Sequence, residues 1–304
     1  TATCPVVLAP AMHTQMWEHP ATRANVESLR NRGYIVLDPD TGPLTGTDSG
    51  KGRLPAPQEI FDALEAQLHA NTGALAARHI VISAGGTQED WDPVRYIGNK
   101  SSGKQGVALA RAALAAGARV TLVVGHMDID PPVGAEVIHA KSSADMHKAL
   151  IGLMDEQPDG VIMAAAVADF RPAQQSAAKI KKAHGVQNLE LEPTTDILND
   201  ICRQRVLGTR PIIIGFAAET SGIREDLIAL GSGKLAAKGA DAFVVNDVSN
   251  GEIFGSENTE VLFIEAGHAV APIMGSKLNV GHAVVHRLAQ LLDQVDCSAR
   301  QSEI

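Results

Sequence analysis

The stretch His79-Ile80-Val81-Ile82-Ser83-Ala84-Gly85-Gly86-Thr87 decides how the rest of the chain is read. Six residues rich in β-branched side chains, closed by a Gly-Gly turn, have the pattern of a buried strand leaving into a loop. The loop runs to Lys104, and beyond it Val107, Ala110 and Leu114 recur at i, i+3 and i+7, the apolar stripe of a helix. Gly117 ends that helix, and a second short β-branched run extends from Arg119 to Val124. Strand, helix and strand in this order make one βαβ unit, which implies a parallel sheet.

The same alternation continues on both sides. Further strands are expected at 160–166, 212–216, 242–246 and 260–264, with helices near 142–154, 196–204, 222–238 and 278–294. The fold class is therefore α/β: a Rossmann-like, doubly wound, mostly parallel sheet whose ligand sits beyond the carboxyl ends of its strands. Upstream, residues 5–9 and 34–38 read as strands, and 20–32 and 57–70 as helices, the second with Pro57 in its first turn. Residues 70–78 are small, weakly patterned and contain Gly73. The expected units are thus a partial α/β segment at 1–70, a linker at 71–78 and a larger domain at 79–304.

Composition removes several function classes. Of 304 residues, 45% are hydrophobic and 20% charged, which excludes a disordered or coiled-coil chain. Asp plus Glu number 35 against 26 Lys plus Arg, and a net charge of −9 argues against general nucleic-acid binding. Cys4, Cys202 and Cys297 are too far apart for a paired-cysteine zinc site and odd in number for a disulfide framework. They point to a reducing compartment, the cytoplasm. Apolar runs such as Val161 to Ala168 fall short of the ~20 residues that cross a bilayer. Thr1 to Pro10 lacks the basic start of a signal peptide and leads almost directly into a strand-like run, so a segment upstream of Thr1 is expected to have been removed.

Three clusters carry chemistry. In the first, Gly85-Gly86-Thr87 and the run Asn99 to Gly106 place glycine, serine and Lys104 at a helix start, where backbone amides attract anions. The blander reading is a capped helix with a solvated lysine, and the run is neither G-x-G-x-x-G nor a Walker A. In the second, Met163-Ala164-Ala165-Ala166-Val167-Ala168-Asp169 leaves space above a strand end and sets a carboxylate beside it, placed for a metal ion or for an ordinary turn. The third is Lys179-Ile180-Lys181-Lys182, the densest basic cluster. It reads as a solvated face, or as local positive charge for a phosphate; Lys234 and Lys238, one helical turn apart, extend it.

Taken together with Gly215-Phe216-Ala217-Ala218-Glu219-Thr220, these segments resemble the phosphopantothenate-cysteine ligase family in order and spacing, over roughly residues 78–295. That ligase is commonly the carboxyl half of a bifunctional coenzyme A biosynthesis protein, whose amino half is the flavin-dependent phosphopantothenoylcysteine decarboxylase. Pro10-Ala11-Met12-His13-Thr14-Gln15-Met16-Trp17 looks like the decarboxylase's P-x-M-N-x-x-M-W, so residues 1–70 resemble the end of that domain. Two residues depart from it. His13 stands where the family has the Asn that holds the substrate carboxylate, and Gly46 stands where it has the Cys that protonates the intermediate. FMN is expected only with the complete decarboxylase domain.

The resemblance implies that 4'-phosphopantothenate is joined to L-cysteine through an acyl-cytidylate, with CTP consumed and pyrophosphate and CMP released. It assigns Asn99 to formation of the acyl-cytidylate and Lys179, Lys234 and Lys238 to the triphosphate. Mg²⁺ falls to Asp169, and the cytosine to Met163, Ala164 and Ala165 with Phe216 against its face. The family's N-P-D-I segment appears as Thr194-Thr195-Asp196-Ile197, in which Asp196 reads equally as a helix cap. A homodimer through the ligase domain is expected, or a higher oligomer with the complete decarboxylase domain, with no nucleic-acid or membrane partner. Two other functions compete with this one. A nicotinamide-dependent oxidoreductase would show G-x-G-x-x-G after its first strand, which Gly85-Gly86-Thr87 does not supply. A non-catalytic scaffold for a flavoprotein decarboxylase would rely on residues 1–70.

Overall fold

The structure is a computed structural model that describes residues 4–45, 48–70, 72–181, 188–205, 209–249, 258–268 and 270–302. Thr1, Gly46 and Lys182 lie outside the described residues. The amino-terminal part comprises β1 (Val7–Leu8), α1 (Thr14–Trp17), α2 (Pro20–Asn31), β2 (Ile35–Val36), β3 (Asp40–Pro43), β4 (Ser49–Arg53) and α3 (Pro57–His69). The strands expected at 5–9 and 34–38 shrink to two residues each, since β1 and β2 pair only with one another, in parallel. The hairpin of β3 and β4 goes beyond expectation; its Gly- and Pro-containing sequence has no strand periodicity.

Residues 72–78 pack closely on the larger domain. Leu75 is fully buried, and its N–H donates to the Ala116 carbonyl at 2.8 Å. The chain then forms β5 (His79–Ala84), β6 (Glu89–Asp92), β7 (Arg95–Ile97), α4 (Lys104–Ala115), β8 (Arg119–Val124), β9 (Glu136–His139), α5 (Ser143–Met154) and β10 (Gly160–Met163). The chain continues through β11 (Phe170–Pro172), β12 (Leu191–Pro193), α6 (Ile197–Arg203), β13 (Ile212–Glu219), α7 (Arg224–Lys238), β14 (Ala242–Asp247), β15 (Asn258–Glu265), β16 (Ala271–Ser276) and α8 (Lys277–Ser302).

One eight-stranded sheet organises this part, in the order β16-β15-β14-β13-β10-β5-β8-β9. The six strands from β9 to β14 run parallel, and β15 and β16 are antiparallel additions. Numbering those six by their own succession gives 3-2-1-4-5-6, the doubly wound order, with its switch point between β5 and β10. Alternate strand residues serve opposite faces. Ile80, Ile82, Val120 and Leu122 join α4 and α8 in one core, while Val81, Val123, Val161 and Phe243 join α5, α6 and α7 in the other. Burying a side chain such as Leu109 completely contributes about 1.5–3 kcal/mol.

Strand β10 stops at Met163 instead of reaching 166, because the amides beyond it find other partners: Ala165 N–H donates to Ser83 Oγ at 3.1 Å, and Ala166 N–H to the Gly85 carbonyl at 2.8 Å. Strand β13 outruns its expected end by three residues, since β14 pairs with it as far as Glu219 and Asp247. Gly106 sets α4 onto the end of β5: a Cβ there would stand 2.4 Å from the Ala84 Cβ. At the amino edge of the sheet, Arg78 pairs with Asp159 at 3.1 Å and with Asp296, and Arg210 pairs with Asp159 at 2.8 Å and with Asp296. Among the described residues, no helix is long and apolar enough to cross a membrane.

Candidate functional site

A cavity of about 800 Å³ opens at the carboxyl edge of the sheet, over the switch point. Its floor is the alanine-rich run after β10, held from both sides. Thr87 Oγ1 accepts the Ala168 N–H at 2.8 Å, and the Asn99 side-chain amide donates to the Val167 carbonyl at 2.8 Å. From the opposite flank, Thr194 Oγ1 donates to the Ala168 carbonyl at 2.6 Å, and Thr194 N–H to the Asp169 carbonyl at 2.9 Å. Small side chains keep this backbone accessible while the hydrogen bonds fix its position. Asn99 therefore reaches the second cluster across 68 residues of sequence and tethers two loops in one wall.

Met163, Ala164, Ala165, Asp169, Thr194, Thr195, Asp196, Ile197, Phe216, Lys234 and Lys238 all line this cavity together with Asn99. Asp196 caps α6, accepting the Asn199 N–H at 3.1 Å as its helix-cap reading expects, and it also pairs with Lys238. Lys234 Nζ lies 2.6 Å from Glu219 Oε1. Lys100, Lys104 and Lys277 line the cavity too. A protein of net charge −9 thus concentrates cations where its parallel strands end.

Lys179 does not line this cavity. Its neighbour Ile180 donates its N–H to Asp92 Oδ2 at 3.2 Å, which pins the segment to the β6–β7 hairpin and leaves Lys179 exposed. Burial opposes ionisation of Asp92, yet the N–H groups of Val94, Ile180 and Arg95 and the Arg95 charge hold its carboxyl below the usual range. Arg95 is fixed in turn by stacking on Trp91, 5.4 Å from the ring centre.

Asn246, Thr259 and Lys277 close the far end of the cavity, and none of them belongs to a cluster conspicuous in the sequence. They come from β14, β15 and the start of α8. The one local signal is the helix start itself, where Ser276 Oγ accepts the Asn279 N–H at 3.1 Å. A smaller cavity of about 360 Å³ shares the Asn99–Ser102 wall and is completed by Gly86, Thr87, Gln88, Tyr96, His126 and Asp128. Among the described residues, no three His, Cys, Asp or Glu side chains converge on a metal position. Asp169 offers one exposed carboxylate, which suits an ion that takes its remaining ligands from phosphate and water.

Comparisons with known proteins agree on the kind of chain this is. Residues 75–292 match the family model described as DNA/pantothenate metabolism flavoprotein C-terminal domain, and residues 1–69 match one described as flavoprotein. The coenzyme A biosynthesis bifunctional protein CoaBC of Mycobacterium bovis is 44% identical over 301 residues, spanning 96% of this chain and 72% of that protein. A cysteine/cysteine sulfinic acid decarboxylase from an unknown prokaryotic organism is 38% identical over 275 residues, 89% of this chain and 75% of its own. Among solved structures, the C-terminal domain of CoaBC superposes with a TM-score of 0.60 at 31% identity, covering 73% of this chain and 100% of that one.

Proposed function

Since the chain belongs to the DNA/pantothenate metabolism flavoprotein C-terminal domain family and is a CoaBC-type protein, we propose that its large cavity joins 4'-phosphopantothenate to L-cysteine at the expense of CTP. The observation that carries this reading is the convergence of Asn99, the Met163–Asp169 floor, Phe216, Lys234 and Lys238 on one cavity at the switch point. The substrate carboxylate attacks the α-phosphorus of CTP, the bond to the β-phosphate oxygen breaks, and pyrophosphate leaves. The cysteine amine then attacks the acyl carbon, sheds a proton and displaces CMP.

The first step brings two anions together. Lys234 and Lys238 offset the triphosphate charge, and backbone groups of Met163, Ala164 and Ala165 face the cytosine edge with Phe216 on its face. Asn99 supports the reacting carboxylate with a neutral amide, which orients it without neutralising it. Asp169 would hold Mg²⁺, which supplies charge neutralisation on the phosphates. Lys179 is assigned to the triphosphate by family resemblance, from outside the cavity wall. FMN belongs with the complete decarboxylase domain; in residues 1–70 the departures concern decarboxylation, since His13 Nε2, at the substrate-carboxylate position, lies 3.0 Å from Asp48 Oδ2, and the acid position is Gly46. We further assign residues 1–70 to the end of that decarboxylase domain, 71–78 to a connector and 79–304 to the ligase, working as a homodimer in the cytoplasm.

Pyrophosphate release tests the reading. With CTP and 4'-phosphopantothenate the protein should release pyrophosphate, and cysteine should convert the stalled intermediate into amide and CMP. Absence of release, or release that does not depend on phosphopantothenate, overturns it.

A further inference from the structure

The lysines that α7 presents to the cavity are already engaged before a ligand arrives: Lys234 by Glu219 at 2.6 Å, and Lys238 by Asp196. The first pair is lopsided. The Glu219 side chain is 16% exposed, whereas that of Lys234 is 43% exposed. Glu219 is the last residue of β13, in register with Asp247 of the neighbouring strand, and its carbonyl accepts the Val248 N–H at 2.7 Å. The carboxylate therefore sits on the fixed frame of the sheet, while the ammonium hangs on a flexible four-carbon stem. When the pair opens, the lysine moves and the carboxylate stays.

Building on the proposal that Lys234 meets the triphosphate, we propose that Glu219 is a built-in counter-anion that competes with the nucleotide for Lys234 and recaptures it as pyrophosphate departs. A polyphosphate wins the lysine because it brings several negative charges against one. Its success strands a mostly buried carboxylate without its cation, and that desolvated charge opposes occupation. The opposition acts on CTP and on product pyrophosphate alike, but not on CMP, which lacks the β and γ phosphates. Glu219 forms and breaks no covalent bond; it is a positioning residue that sets how tightly the polyphosphate is held.

The test titrates pyrophosphate, CTP and CMP into the full chain by calorimetry. Glu219→Gln keeps the side-chain shape and removes the charge. It should tighten pyrophosphate and CTP about three- to tenfold, the scale of one partly exposed charge acting on a multivalent anion, and leave CMP unchanged. Because pyrophosphate then leaves more slowly, kcat and KM for CTP should fall together. In a Lys234→Gln background the same exchange should alter pyrophosphate affinity by less than about twofold, since the cation being contested is gone. Should Glu219→Gln misfold, Glu219→Asp, which keeps the charge but shortens its reach, should give a smaller tightening in the same direction. Weaker pyrophosphate binding in the glutamine or aspartate variant, or an equal effect with and without Lys234, overturns the proposal. Failure of the unaltered protein to bind CTP and pyrophosphate at all would instead remove the nucleotide reading on which it rests.

Discussion

Replacing Asn99 by Asp tests the first chemical step, because it changes charge with almost no change of shape. In the structure the Asn99 amide donates to the Val167 carbonyl at 2.8 Å, so the aspartate sets an acceptor against an acceptor where a hydrogen bond stood. Losing that bond costs about 1 kcal/mol. The new charge matters more: two like charges about 4 Å apart at an effective dielectric near 20 repel by ~4 kcal/mol, and here the variant faces both an anionic nucleophile and a phosphate. At 1.4 kcal/mol per decade, Asn99→Asp should slow acyl-cytidylate formation by about 10³–10⁴. Asn99→Ala, which loses the amide without adding charge, should cost closer to tenfold. Quenched reactions followed by mass spectrometry of the intermediate measure both. If Asn99→Asp accumulates acyl-cytidylate at the normal rate and stalls only when cysteine is added, Asn99 serves the second step and the reasoning fails.

Lys179→Gln should raise the dissociation constant for CTP, and calorimetry that finds CTP affinity unchanged would leave Lys179 as a surface residue. Cys202 is buried, and burial pushes its thiol up to about 11, whereas Cys4 and Cys297 are exposed. A thiol reagent at pH 8 should therefore label two cysteines in the native protein and three in denaturant; three fast reactions would contradict the packing of α6. Asp92 has its folded pKa lowered, so its contribution to stability is present above its unfolded value of 3.8 and is lost as pH falls through the folded value. Asp92→Asn should lower stability at pH 7 and flatten the acid limb of the melting-temperature profile below about pH 4, and an unchanged acid limb would count against it.

How much was legible in the sequence depended on whether the signal was local. The βαβ unit at 79–124 was readable because its side chains repeat with the period of the element they form, and all three elements match their expected positions closely. The β6–β7 hairpin was not. Glu89, Asp90 and Asp92 look like a solvated loop, yet Glu89 is buried and accepts the Ser143 N–H at 2.7 Å at the start of α5. A buried carboxylate that serves a distant amide has no periodicity to betray it. The same distinction runs through the cavity. Asn99, the alanine run and the α7 lysines stood in recognisable clusters, whereas Asn246, Thr259 and Lys277 are brought there by strand order alone. Lys179 shows the converse, a conspicuous cluster whose neighbour Ile180 is anchored elsewhere.

The ionic clasp at the amino edge of the sheet bears on how such a unit is joined to others. Arg78, one residue before β5, and Asp296, within the last turns of α8, are held in contact through the shared network with Asp159 and Arg210. The chain therefore enters and leaves this unit side by side, on the edge turned away from the cavity. A unit with that geometry is modular: sequence can be attached at either end, or its own ends linked and new ones opened in a loop, without threading anything past the cavity. A circular permutant that bridges the α8 end to Arg78 with a short flexible linker, and opens between β15 and β16, should keep the sheet and the large cavity intact.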